Sequence, residues 1–250
     1  ATKDFPVFAH LPFVMGSDNT KLSKRNGEVS IAWYRERGFL PEAICNYLAL
    51  LGWSPGDDRE NVTLNEIVEL FDVSRVNASP ARFDMKKLEA INGEKIRGLG
   101  IDDLLERSLP FLKDAGVIKG SLDEIEVVRK ALPLIQERII TLSEVVPMLT
   151  FLFGERVTIA DEVKAKNLDE SALTTLAKAK SALEKVKSWN ESEIESALRA
   201  ELLESMGLKP RIAFTPVRIA ATGSHISPPL FESLALLGRE RTLARISALL

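Results

Sequence analysis

Cysteine is nearly absent: the 250-residue chain has one, Cys45, which rules out an intrachain disulfide and fits a reducing compartment. Histidine is almost as scarce. His10 and His225 lie far apart, and with one cysteine they make no zinc site of the usual Cys/His kind. No apolar run reaches the roughly 18 residues of a membrane helix. The first residues carry Lys3 and Asp4 and lead into no long apolar stretch, so no secretory signal is expected. Excess charge is missing too. Thirty-three basic and 36 acidic side chains leave a net charge of −3, so the chain is no polycation, and any case for nucleic acid rests on local patches. What is present is an ordinary globular composition, 45% hydrophobic and 28% charged. The expectation is a soluble, cytoplasmic protein without structural metal, built as one or two domains or as several small helical modules.

Strand-like alternation is sparse. Phe5 to Met15 is apolar, interrupted by Pro6 and Pro12, and reads as a short strand with no partner of comparable strength downstream. From Ser30 onward the periodicity is helical. Pro41 opens a helix with Ile44, Tyr47, Leu48 and Leu51 at helical spacing. Asn77 to Ala81 reads as a loop. Further stripes are Ile101/Leu104/Leu105/Leu109/Leu112, then Ile125/Val128/Leu132/Ile135/Ile139/Leu142 with Pro133 placed to kink it, then Leu173/Leu176/Ala177/Leu183/Val186 and Ile194/Leu198/Leu202. Leu230, Leu234 and Leu237 begin the last set. The fold class expected is mainly α, with boundaries near Gly98–Gly100 and near Gly154–Asp161.

The most chemically loaded stretch is Lys21-Leu22-Ser23-Lys24-Arg25, three cations on a loop bounded by Gly16 and Gly27. Such a loop can approach a polyphosphate and stabilise charge that develops during its cleavage. It lacks the glycine spacing of a Walker A loop, and taken alone a short basic run reads as a solvated loop. Its surroundings sharpen the reading. Ala9-His10-Leu11-Pro12-Phe13 precedes it, and Gly38-Phe39-Leu40-Pro41-Glu42-Ala43 and Asn46-Tyr47-Leu48-Ala49-Leu50-Leu51-Gly52-Trp53 follow. Further on come Ser79-Pro80-Ala81-Arg82-Phe83-Asp84, Arg218-Ile219-Ala220-Ala221-Thr222-Gly223 and Leu236-Leu237-Gly238-Arg239-Glu240-Arg241. In this order the motifs resemble bacterial glutamyl-tRNA synthetases (glutamate–tRNA ligases), a family of class I aminoacyl-tRNA synthetases. The likeness spans essentially the whole chain and is weakest across 117–210.

The resemblance implies a C-terminal, tRNA-binding portion: a helical stem-contact module followed by two α-helical anticodon-binding modules, with a short strand remnant of the catalytic domain. The division it suggests is 1–20, 21–100, 101–158 and 159–250. Lys-Leu-Ser-Lys-Arg matches the family's second signature, so Lys21, Ser23, Lys24 and Arg25 would face the phosphates of ATP (with magnesium), with Lys21 and Lys24 catalytic. The family's first signature, His-Ile-Gly-His or a close relative, does not occur here. The portion is therefore expected to bind tRNA(Glu) as a monomer and to be inactive by itself, the full-length enzyme joining L-glutamate to tRNA(Glu) with ATP. Two departures stand out: Asn26 replaces a common histidine, and Ala90 a common tryptophan, which removes any stacking from that position.

For the anticodon, the resemblance singles out Arg138, matching a position where some members read the third base, and Arg218 with a wall of Pro228, Leu230 and Phe231. Arg138 is expected on the helix of residues 125–142, roughly 80° from the centre of its stripe at about 100° per residue. There its planar donor fork reaches a base edge, or its stem covers apolar surface. Residues 209–250 hold six basic side chains against Glu232 and Glu240, a local +4 suited to a phosphate backbone unless the arginines serve helix C-termini. Trp33 and Tyr34 read as packing, Cys45 as core, and His10 and His225 carry no catalytic assignment. The competing reading is a free-standing helical RNA-binding or scaffold module. Glutaminyl-tRNA synthetase, with its β-rich anticodon region, fits the helical periodicity less well.

Overall fold

The computed structural model describes residues 8, 10–16, 20–22 and 30–250. The described chain is mainly helical, and it divides into two compact units. Unit 1 takes Ala1–Leu99 together with Ile139–Ser143, and unit 2 takes Gly100–Arg138 and Glu144–Leu250.

Unit 1 is built from β1 (Val14–Met15), α1 (Ile31–Arg37), α2 (Pro41–Leu50), α3 (Leu64–Leu70), β2 (Ala81–Arg82) and α4 (Met85–Arg97). The strand at Val14 has a partner after all. It pairs in parallel with β2, Val14 opposite Ala81 and Met15 opposite Arg82, so the segment read as loop supplies the second strand. Proline at the first position and Glu42 in the first turn open α2. The face that α2 buries is Ala43, Asn46 and Tyr47, which leaves Leu48 and Cys45 exposed. Cys45 is thus a surface residue rather than core.

The reason is Asn46, fully buried, whose amide donates to the Glu60 carbonyl (2.9 Å) and accepts from Val62 N–H (3.0 Å). Asn92 of α4 does the same work elsewhere in the unit. It accepts from Leu40 N–H at 2.7 Å and donates to the Ile140 carbonyl at 2.5 Å. A buried amide bonded on both sides fixes irregular backbone that would otherwise lose its water partners.

Ile139–Ser143 closes unit 1. Leu142 N–H donates to the Gly38 carbonyl (3.0 Å) and Ser143 Oγ to the Arg37 carbonyl (2.9 Å). Gly38 sits at φ +78°, and a Cβ there would lie 2.7 Å from Leu142, so only glycine admits this approach. These bonds correct the sequence reading of one stripe through Leu142. The α-helix stops at Ile135, and the Ile140 carbonyl, Leu142 N–H and Ser143 hydroxyl bond instead to Asn92, Gly38 and Arg37.

Unit 2 begins with α5 (Ile101–Asp114), α6 (Leu122–Ile135) and α7 (Val145–Leu149). A capping box of Ser121 and Glu124 starts α6, and the Glu124 carboxylate also accepts from the N–H groups of Lys119 and Gly120. Then come α8 (Asp161–Asn167), α9 (Glu170–Glu184), α10 (Glu191–Leu198) with a π-helical continuation over Arg199–Ser205, α11 (Pro210–Thr222), α12 (Leu230–Leu237) and α13 (Arg239–Ser247). On α9 the buried positions are Ala172, Thr175, Leu176, Ala179, Ala182 and Leu183, whereas Ala177 faces out. Small residues on that face let α11 and α13 pack closely against it. α12 packs on α10, α6 and α13.

Candidate nucleic-acid interface

The basic loop begins where β1 ends. Lys21 forms an antiparallel bridge with Met15, Leu22 N–H donates to the Val14 carbonyl (3.0 Å), and Gly16 N–H to the Thr20 carbonyl (2.8 Å). Lys21 is exposed, with Nζ 3.8 Å from the centroid of the Phe13 ring. Ser23, Lys24, Arg25 and Asn26 lie outside the described residues. Trp33 and Tyr34 belong to an aromatic cluster with Phe39: Trp33 meets Tyr34 edge-on at 5.0 Å and stacks near Phe39 at 6.4 Å. Ala90 lies on the exposed face of α4. Among the described residues, no group of three or more His, Cys, Asp or Glu could hold a metal ion.

In unit 2, Arg138 stands in the turn after α6, not on a helix as the stripe implied. Its own N–H donates to the Ile135 carbonyl at 2.8 Å. The turn frees its side chain from helical geometry, and Nη1 reaches the Ser227 carbonyl at 3.2 Å. Arg218, from the middle of α11, arrives at the same place: its Nη1 donates to Ser227 Oγ (2.5 Å) and to the Pro228 carbonyl (2.8 Å). Burial, then the neighbouring charge of Arg138, pushes the Arg218 guanidinium below the usual arginine range, and Glu232 opposes that shift. Two cations thus share one loop. The loop leaves α11 at Gly223, whose φ of +79° turns the chain tightly over Thr158; a Cβ there would lie 2.8 Å from the Thr158 carbonyl oxygen.

Pro228 and Leu230 are buried, so of the suggested wall it is Phe231 that keeps a half-exposed ring. Phe231 meets Phe214 edge-on at 5.3 Å, and the Arg199 guanidinium lies 5.9 Å from each ring. Arg199 opens the π-helical turn and is held by Glu195 at 2.6 Å. Arg199, Phe214 and Ser227 were not singled out by the sequence. Phe214 stands four residues before Arg218, a spacing that would have paired them on one helix face; no sequence signal marks Ser227. An arrangement of arginine donors beside aromatic faces is suited to unpaired bases, which are held by stacking and by bonds to their edges.

Three of the other terminal arginines, Arg239, Arg241 and Arg245, are spent inside the unit. Arg245 is buried and donates to the carbonyls of Ala221, Phe151, Gly154 and Glu155. Burial, with some repulsion from Arg241, pushes its guanidinium down to about 10. Arg241 donates to the Leu152 carbonyl, and Arg239 to that of Val186 beside the Trp189 ring. Most of the local +4 is therefore not a free phosphate-facing patch: these three arginines cap helix ends and turns, Arg218 is bonded to carbonyl and hydroxyl oxygens, and Lys209 and Arg211 stay exposed.

Residues 103–250 match the family model for the anticodon binding domain, and residues 2–90 match that for the class I tRNA synthetase (E and Q) catalytic domain. The glutamate–tRNA ligase of Nocardioides sp. (strain JS614) is 50% identical over 99% of this chain and 51% of its own length. That of Saccharopolyspora erythraea is 49% identical over 97% and 49%. The chain thus spans about half the length of the curated relatives it matches. A solved glutamate tRNA ligase from Elizabethkingia meningosepticum shares the fold, with a TM-score of 0.83 at 24% identity over 98% of this chain and 51% of that one.

Proposed function

The chain belongs to the anticodon binding domain family, and from that premise we propose that it is the tRNA-selecting portion of an ATP-dependent glutamate–tRNA ligase. The observation that supports this most directly is the convergence of Arg138 and Arg218 on the Ser227–Pro228 loop, beside the half-exposed Phe231 and Phe214 rings. In this reading Arg138 uses the donors not engaged by Ser227 to read a base edge. Phe231 supplies a stacking face, with Pro228 and Leu230 supporting the loop from inside. Residues 101–158 and 159–250 act as the two anticodon-binding modules, and residues 21–100 contact the tRNA stem.

In the whole enzyme, L-glutamate is activated by magnesium-bound ATP before transfer to tRNA(Glu). There Lys21 and Lys24 balance charge developing on the phosphates, while Arg25 and the Ser23 hydroxyl help to bind them. The chain itself acts as a cytoplasmic monomer and binds tRNA without activating glutamate. Fluorescence anisotropy with labelled tRNA(Glu) and tRNA(Gln) transcripts tests the reading. Preference for tRNA(Glu) is the expected result, and equal binding of an unrelated RNA hairpin overturns it. Glutamate-dependent ATP–pyrophosphate exchange by the 250-residue chain would refute the claim of inactivity.

A further inference from the structure

The face of α11 that carries Arg218 continues toward its N-terminus. Arg211 precedes Arg218 by seven residues, two turns of helix, so it lies on the same side and about 10 Å along the axis. This side forms one wall of a groove of about 580 Å³, a volume within the range of roughly 300–1,000 Å³ typical of small-ligand sites. The opposite wall comes from α8 and the start of α9. Val163 and Ile212 make it apolar; Lys166, Arg211 and His225 bring cationic or donor groups; Glu162 and Asp169 bring carboxylates, that of Asp169 already accepting from Ala172 N–H at 2.8 Å. Arg211, Lys166, Glu162 and Ile212 are all exposed, so the groove opens to solvent. His225 belongs to the same loop as Ser227. The groove and the Arg138–Arg218 pair therefore share both a helix face and a loop.

Three chemistries meet here. Cations suit a phosphate, apolar side chains suit the flat face of a base, and a carboxylate suits the N–H donors on a base edge. A simple anion is opposed by Glu162, and an apolar peptide leaves Lys166 and Arg211 unused. We infer that this groove holds one unpaired nucleotide of the same RNA strand whose neighbouring bases meet Arg138 and Arg218. The inference rests on the tRNA-binding reading and extends it to a subsite that the Ser227 loop does not form.

The test uses the full chain and a labelled anticodon stem–loop hairpin of tRNA(Glu). Arg211→Gln and Lys166→Gln, both on exposed positions, should each weaken hairpin binding about fivefold and lower the salt slope of log Kd by about one phosphate contact. A photoreactive p-benzoylphenylalanine placed at Ile212 should crosslink to a single loop nucleotide and be blocked by unlabelled hairpin. Unchanged affinity and slope in both variants, with Arg138→Gln still weakening binding, overturn the subsite and leave the tRNA reading standing. If Arg138→Gln and Arg218→Gln are also without effect, the tRNA reading itself falls. Protection of the crosslinking position by adenosine monophosphate alone, as strong as that by the hairpin, would make it a free-nucleotide site and overturn the assignment to RNA.

Discussion

Arg138 and Arg218, eighty residues apart in sequence, donate to the two oxygens of one residue: Arg138 to the carbonyl of Ser227 and Arg218 to its hydroxyl. Two like charges are held together by a neutral loop, their hydrogen bonds going to the Ser227 and Pro228 carbonyls and the Ser227 hydroxyl. Such a pair gains when a negatively charged or acceptor-rich ligand approaches.

Arg138→Gln should therefore act on selectivity more than on folding. In anisotropy titrations the preference for tRNA(Glu) over tRNA(Gln) should shrink by about 1–3 kcal/mol, the worth of a bidentate base contact. An unchanged ratio of the two dissociation constants would remove Arg138 from base reading.

Ser227→Ala removes the hydroxyl that Arg218 uses while keeping the carbonyl that Arg138 uses. Arg218 retains the Pro228 carbonyl, so the loss of stability should be modest, about 1 kcal/mol. Urea unfolding measures it, and hairpin binding should weaken in parallel as Arg218 loses its orientation.

Asn92→Asp should be far more damaging to unit 1. The side chain can still accept from Leu40 N–H, but an oxygen replaces the amide that donates to the Ile140 carbonyl. A buried acceptor facing an acceptor costs about 2–3 kcal/mol or more. The urea midpoint should fall further at pH 7 than at pH 4, where the new carboxyl can carry a proton.

Acid should loosen the start of α6. Hydrogen bonds from the Ser121 and Lys119 backbone hold the Glu124 carboxyl below its ordinary value of 4.5. A depressed carboxyl pKa stabilises the fold above the unfolded value, and that contribution is lost as pH falls from about 4.5 through the folded value. Glu124→Gln should flatten the pH dependence of the urea midpoint in this window; an identical pH profile would refute the assignment.

The mainly helical architecture was legible because amphipathic stripes such as Leu104/Leu112 and Val128/Leu132/Ile135 are local patterns, and all of these residues are buried. The strand at Val14 was legible and its partner was not, since two residues at Ala81 carry no periodicity. Asn46 and Asn92 were invisible: a polar residue on an apolar face looks like a break in the stripe until its distant carbonyl is known. Cys45 failed for the complementary reason, because the buried sector of α2 is turned toward Asn46. Summed charge over residues 209–250 was a poor guide, since Arg239, Arg241 and Arg245 serve carbonyls that the folded chain alone creates. Arg138 lies in the turn after α6 rather than on a helix, and its approach to Arg218 is made through Ser227, which carries no sequence signal.

Five residues, Ile139 to Ser143, supply unit 1 with partners for Asn92, Gly38 and Arg37, although they follow α5 and α6 in the chain. In topological terms, residues 100–138 are an insertion into unit 1. A cut between Leu99 and Gly100 would strand a polypeptide whose Asn92 amide and Gly38 carbonyl have lost their mates. Shuffling or circular permutation of these pieces must carry the short return segment along, or splice it back onto Leu99.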